Sequence, residues 1–228
     1  VQYRTSDLQS VATIPVCKCP LDEETLLGKK LFYTANQPMA GRRWISCSSC
    51  HPDGEQDGRV LQQPEGLRDT QPLAGLAWTH PLHWSADRDE VQDFEHTVRG
   101  KLMQGRGLAR GSIHDPLGEP NQGLSEALDA LAVYTNSHGF PLSPYAKQGL
   151  SESAQRGKNL FFSEEVGCAK CHSGPLFSDS RPGKDRTLHD VGTGKDDPTE
   201  KMGPQYDTPT LIGVYRSAPY LHHGKAAT

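Results

Sequence analysis

Cys47 and Cys50 stand three residues apart with His51 directly behind them, and Cys168, Cys171 and His172 repeat the arrangement. Cys-x-x-Cys-His is the attachment sequence of a c-type haem: the two thiols form thioethers with the haem vinyl groups, and the adjacent imidazole becomes the proximal iron ligand. The spacing has a mechanical reason. One turn of chain brings two sulfurs to one porphyrin edge, and the next side chain turns beneath the ring to meet the iron. Two other chemistries use such thiols. A pair of Cys-x-x-Cys units could hold one tetrahedral zinc, but that leaves His51 and His172 without a role. A thioredoxin-like redox pair needs a βαβ setting that is not evident here. The pattern therefore predicts two covalently bound c-type haems, attached at Cys47, Cys50, Cys168 and Cys171, with His51 and His172 on the irons. Cys17 and Cys19, in "VCKCP", lack a following histidine. A local disulfide, pairing with another chain and free thiols all stay open for them.

The elements that must carry these motifs also occur twice. "GKKLFY" from Gly28 matches "GKNLFF" from Gly157, "CSSCHPDG" matches "CAKCHSGP", and "DTQPLAGLAWTHPLHWSA" from Asp69 matches "DTPTLIGVYRSAPYLHHG" from Asp207. Three matches in one order indicate two copies of a module. They are expected over residues 1–140 and 141–228, joined around the Gly- and Pro-containing "NSHGFPLSPYAKQGLS". Apolar residues at helical spacing predict helices over 22–33 and 152–162, one ahead of each cysteine pair. Two more are predicted over 87–103, where acidic residues crowd the start, and over 124–135, with Leu124, Leu128 and Leu131 on one face. Strand signals are nearly absent. The expected fold is mainly α, with two tandem cytochrome c-like haem domains and long ordered loops.

Composition agrees with a chain that borrows part of its interior. Of 228 residues 34% are hydrophobic, which is low for a large self-sufficient core, and two large apolar haems would supply what is missing. The formal charge of −4 comes from interspersed acids and bases. It offers neither nucleic acid nor an anionic membrane a basic stripe. No stretch approaches the roughly 20 apolar residues of a membrane span, and no cleavable signal is evident. A chain beginning at Val1 reads as a mature or excised product. Covalent haem attachment in bacteria is extracytoplasmic, so a periplasmic, extracellular or cell-surface location is expected.

The order of "GKKLFY", "CSSCH", "RDTQPLAGL" and "HW", then "LSPY", "GKNLFF", "CAKCHSGPLFSD" and "YDTPTLIGVYRSAPYLHHG", resembles the bacterial di-haem cytochrome c peroxidase and MauG superfamily over about residues 21–224. The resemblance implies two haem domains with a tryptophan between the haems. Trp84 takes that position, ordinary packing being the alternative. Peroxidase members carry a Glu-Met pair beyond this tryptophan that suits proton transfer; here Leu102 precedes Met103, so the acid is missing, and Asp93 and Glu95 are the nearby substitutes. No histidine lies between residues 52 and 79 to serve the family's reduction-linked ligand switch. Met103 is a candidate distal ligand of the first iron, or else a core residue. His80, His83 and His96 are expected in loop or solvated roles rather than as ligands, and His189, Met202, His222 and His223 as possible neighbours of the second haem. The function implied is a di-haem oxidoreductase in which one haem takes electrons from a redox partner protein and the other meets an oxidant such as hydrogen peroxide. The alternatives are a non-catalytic electron-transfer module, a segment of a larger extracytoplasmic multihaem protein, and MauG-like oxidation of a partner. The second copy lacks counterparts of residues 87–103 and 124–135. A fragment, a processed product or an incompletely traced chain is expected, with the second haem ligated from the loops between residues 189 and 223 or covered by another polypeptide.

Overall fold

The computed structural model describes residues 1–181 and 186–228, so residues 182–185 of the second copy lie outside the described part. An exposed hairpin of β1 (Gln2–Tyr3) and β2 (Ser10–Ala12) precedes α1 (Glu23–Phe32). Helix α1 forms where local chemistry asks for it. Asp22 accepts the Thr25 amide at 2.8 Å as N-cap, Glu23 and Glu24 occupy the first turn, and Lys29 and Lys30 occupy the last, matching the helix dipole at both ends. The chain continues through β3 (Val60–Gln63) and β4 (Gly66–Asp69), α2 (Glu95–Arg99), α3 (Glu126–Asn136) and α4 (Glu152–Phe161). Among the described residues, four helices, two short antiparallel pairs and long ordered loops agree with a mainly α expectation.

The core lies where α1 crosses α3. Phe32, Met39, Val98, Met103, Leu131 and Tyr134 are buried together. The crossing is close because Gly28 has no side chain: a Cβ there would lie 1.9 Å from the Ala130 carbonyl oxygen and 2.7 Å from Tyr134 Cβ. Helix α4 begins in the same way, Ser151 accepting the Ala154 amide at 3.2 Å. Yet every residue from 142 to 160 is exposed, and nothing lies within 4 Å of a Cβ built on Gly157.

Two expectations need correction. Residues 87–103 do not form one helix: a 3₁₀ turn at Val91–Phe94 leads into α2, which stops at the extended Gly100. The acidic residues are not spent on a helix start. Asp89 accepts the Leu117 amide, Glu90 those of Asn121 and Gln122, and Asp93 the Asn121 side-chain amide. They order a neighbouring loop instead. Leu124 is exposed and precedes α3, whose N-cap is Ser125.

The duplication is visible in the backbone. Gly75 and Gly213 are both left-handed and open matching 3₁₀ turns, Leu76–Trp78 and Val214–Arg216. His83 and Leu221 then share positive φ values of 70° and 71°, and isolated bridges join Leu82 to Arg88 and Tyr220 to Ala226. The copies also clasp reciprocally. The Asp69 amide donates to the His222 carbonyl at 2.6 Å, and the Asp207 amide to the Trp84 carbonyl at 2.8 Å. Asp69 matches Asp207 and Trp84 matches His222, so one contact is made twice, as across a two-fold axis.

Candidate haem centre

Each cysteine pair sits on a short 3₁₀ turn that brings the following histidine back over it. The amides of Cys50 and His51 both donate to the Cys47 carbonyl, at 3.2 and 2.9 Å; those of Cys171 and His172 donate to the Cys168 carbonyl, at 3.4 and 3.0 Å. All six cysteines are free thiols in this structure. A single cavity of about 870 Å³ is lined by Cys47, Cys50 and His51 from one copy and by Cys171 and His172 from the other. Cys168 is half-buried and is not among the lining residues.

The donor set suits iron. Burial lowers the His51 pKa to about 4, so the imidazole is neutral, and its Nδ1 is buried without a hydrogen-bond partner. His172 Nδ1 lies 3.0 Å from the Phe177 carbonyl oxygen. A carbonyl only accepts, so Nδ1 carries the proton and Nε2 keeps its lone pair for a metal, the usual arrangement of a metal-binding histidine. Burial pushes the Cys47 thiol up to about 12 and raises Cys50 and Cys171 as well. Neutral thiols in an apolar cavity suit thioether formation and disfavour a zinc thiolate site. The residues present fit c-type haem.

The remaining sequence candidates divide. Trp84, Met103, His83, His96, His189 and His222 line the cavity. Trp84 Nε1 donates to the Asp69 carbonyl at 2.9 Å. Met103 is 5% exposed, in the core and on the cavity wall at once. His83 is held by Asp87 at 2.9 Å, His189 by Asp179 at 2.8 Å, His96 by the His114 carbonyl at 2.8 Å and His80 by the Asp89 carbonyl at 2.7 Å. His223 stacks on His222, with ring centroids 4.3 Å apart, and stands off the cavity, as does the half-exposed Met202. Neither substitute acid reaches the cavity. Glu95 is fully buried and accepts the amides of Leu108 and Ala109 and the Arg99 guanidinium, while Asp93 is bound to Asn121.

Two cavity acids were not singled out from the sequence. Asp69 has a buried Oδ1 with no partner, and burial, reinforced by Asp57, raises its pKa to about 7. Asp207 is raised to about 6 by burial, against hydrogen bonds from Ser180. Their signal was present: each opens the longest stretch shared by the two copies.

The chain is 26% identical to methylamine utilization protein MauG of Methylorubrum extorquens, over 89% of this chain and 65% of that protein. It is 26% identical to cytochrome-c peroxidase IdrP1 of Pseudomonas sp. strain SCT, over 94% and 73%. These named relatives support the resemblance to the di-haem cytochrome c peroxidase and MauG superfamily. The chain is also 31% identical to hydrazine synthase subunit gamma of Kuenenia stuttgartiensis, over 80% of the chain and 62% of the relative. The chain thus spans slightly under two thirds of the length of that subunit and of MauG. No family model matches it. Among solved structures, the fold is shared with a MauG-like protein associated with microbial copper homeostasis, at TM-score 0.63 and 21% identity over 94% of this chain and 74% of that one. The diheme peroxidase BthA from Burkholderia thailandensis aligns at TM-score 0.57 and 19% identity, over 92% and 70%.

Proposed function

We propose that this chain is a periplasmic or extracellular di-haem oxidoreductase that moves electrons between two covalently bound c-type haems and uses them to reduce a peroxide, with a redox protein as electron donor. The observation that carries the reading is the single cavity onto which both Cys-x-x-Cys-His turns open. Bound haem would supply a one-electron redox couple and a coordination position for the oxidant. Cys47, Cys50, Cys168 and Cys171 would anchor the two groups, and His51 and His172 would ligate them as neutral imidazoles. Met103, on the wall shared with His51, would close the first iron as a thioether ligand, a ligation that raises the potential. That makes the first site the electron-transfer site and leaves oxidant chemistry to the other. Trp84 would bridge the copies, since its ring lies on the cavity wall and its carbonyl holds Asp207 of the second copy. With no acid at position 102, Asp69 is the group suited to supply a proton, because it is protonated over much of the acidic range and faces the cavity.

Intact-protein mass spectrometry after acid and organic extraction tests the reading. Two haem adducts are expected; no adduct, or bound zinc without iron, refutes it. Met103→Leu preserves volume, a swap that usually costs under about 1.5 kcal/mol. It should convert the first ferric iron from low to high spin while the fold persists.

A further inference from the structure

Between the two motifs, the cavity wall holds a cluster that haem attachment does not require. Tyr206 and His222 are buried and stack with ring centroids 3.9 Å apart at 16°, and Trp84 meets His222 edge-on at 6.5 Å. The Tyr206 hydroxyl lies 3.0 Å from Glu200 Oε2 and 3.0 Å from His222 Nε2. Glu200 also accepts from Arg68, at 2.7 and 3.1 Å, and from the Met202 amide at 2.7 Å. A carboxylate only accepts, which fixes the order of protons. The phenol donates to Glu200, His222 Nε2 donates to the phenol oxygen, and Nδ1 is left to accept from the Thr193 hydroxyl at 3.4 Å.

Asp197, Glu200 and His222 together have the donors of a cation site. Arg68 already neutralises Glu200, and both Asp197 oxygens are taken by Leu67 and Thr199. A redox role fits the cluster better.

We propose that Tyr206 is a redox-active tyrosine serving the haem centre: it gives one electron, by way of His222 and Trp84, to a haem that peroxide has oxidised, and passes its phenolic proton to Glu200 Oε2. The proposal rests on the peroxidase reading above. One electron and one proton leave the phenol, the haem is reduced by one electron, and the product is a neutral tyrosyl radical that an external one-electron donor restores. A cationic radical in this dry wall would carry a heavy desolvation cost, and a carboxylate already in hydrogen-bond contact removes that charge with almost no movement. Burial, with the Glu200 hydrogen bond, holds the Tyr206 phenol above its ordinary value, so electron loss and proton loss occur together. Other tyrosines lack the combination. Tyr220 lines the cavity but donates to the Val214 carbonyl, which is no base, and Tyr33 donates to Asp53 away from the cavity.

The haem-loaded protein would be mixed with hydrogen peroxide, freeze-quenched and examined by EPR, with ring-deuterated tyrosine to identify the radical. A tyrosyl signal is expected that is lost in Tyr206→Phe, which keeps the ring stack and both haem spectra, and that is strongly reduced in Glu200→Gln, which keeps a hydrogen-bond acceptor but cannot take the proton. A second arm uses a photogenerated ruthenium(III) polypyridyl oxidant, which needs no peroxide chemistry. If peroxide leaves the haem spectra unchanged, the peroxidase reading fails and the ruthenium arm alone decides the fate of Tyr206. A tyrosyl yield equal in wild type and Tyr206→Phe, or no tyrosyl signal in wild type, overturns the proposal.

Discussion

Gly28 and Gly157 hold the same place in the two copies, each opening a six-residue stretch with four residues in common, and their surroundings are opposite. The first is pressed against the Ala130 carbonyl, and its helix buries Phe32. The second faces open space on a helix with no buried residue, flanked by Leu160 and Phe162 at 55% exposure each. The contrast shows that a local sequence can specify a helix, with its cap and its glycine, without specifying its burial. Burial comes from the crossing partner, α3 in the first copy, and most helix stability in proteins is of that tertiary kind.

The largest way to break this contrast is to remove one proposed haem anchor at a time. Cys47→Ser with Cys50→Ser should abolish one adduct and collapse the core that closes around Ile45, Cys47 and Met103. Cys168→Ser with Cys171→Ser should abolish the other adduct and leave the α1–α3 core folded by circular dichroism. Equal loss of structure in both pairs would show that the copies are not unequal in stability. The glycines come next. Gly28→Ala forces a methyl into a backbone carbonyl and should destabilise by about 1–3 kcal/mol in denaturant titration; Gly157→Ala should instead stabilise by up to about 1 kcal/mol, the helix-interior preference for alanine. If Gly157→Ala destabilises as much as Gly28→Ala, α4 is a buried helix and the contrast fails.

A smaller effect separates the two cavity acids. Asp69 has a folded pKa near 7, above its unfolded value, so the folded state binds the proton more tightly and stability falls as pH rises from the ordinary carboxylate range to about 7. Asp207 loses its share over a window ending near 6. Asp69→Asn should flatten the stability profile between pH 6 and 7 and Asp207→Asn only below it; identical profiles for the two variants would show that the acids are equivalent.

Whatever depends on residues adjacent in sequence was legible. The two Cys-x-x-Cys-His turns follow from a five-residue spacing, and α1 and α4 from apolar periodicity behind Asp22 and Ser151 caps. The helix around Leu128 and Leu131 was legible too, apart from its first turn. What depends on distant partners was not. The acids of residues 87–93 resemble a helix start until the loop at 117–122 is seen to claim them. The hairpin of β3 and β4 is held by Asp197, Glu200 and Lys201 of the second copy, more than a hundred residues away. Tyr206 is unremarkable in "PQYDTPTL"; its meaning comes from Glu200, His222 and Trp84 meeting around it. Asp69 was hidden for a related reason, since burial without a partner is a property of its neighbours.

The reciprocal clasp bears on how the molecule opens. The amides of Asp69 and Asp207 are each tied to the opposite copy, so neither becomes free for solvent exchange by fraying of its own segment; the copies must separate, and one separation releases both. The two amides, 138 positions apart in the chain, therefore belong to a single cooperative opening unit. Their hydrogen exchange should share one opening free energy, well above that of the exposed residues 142–160 between them.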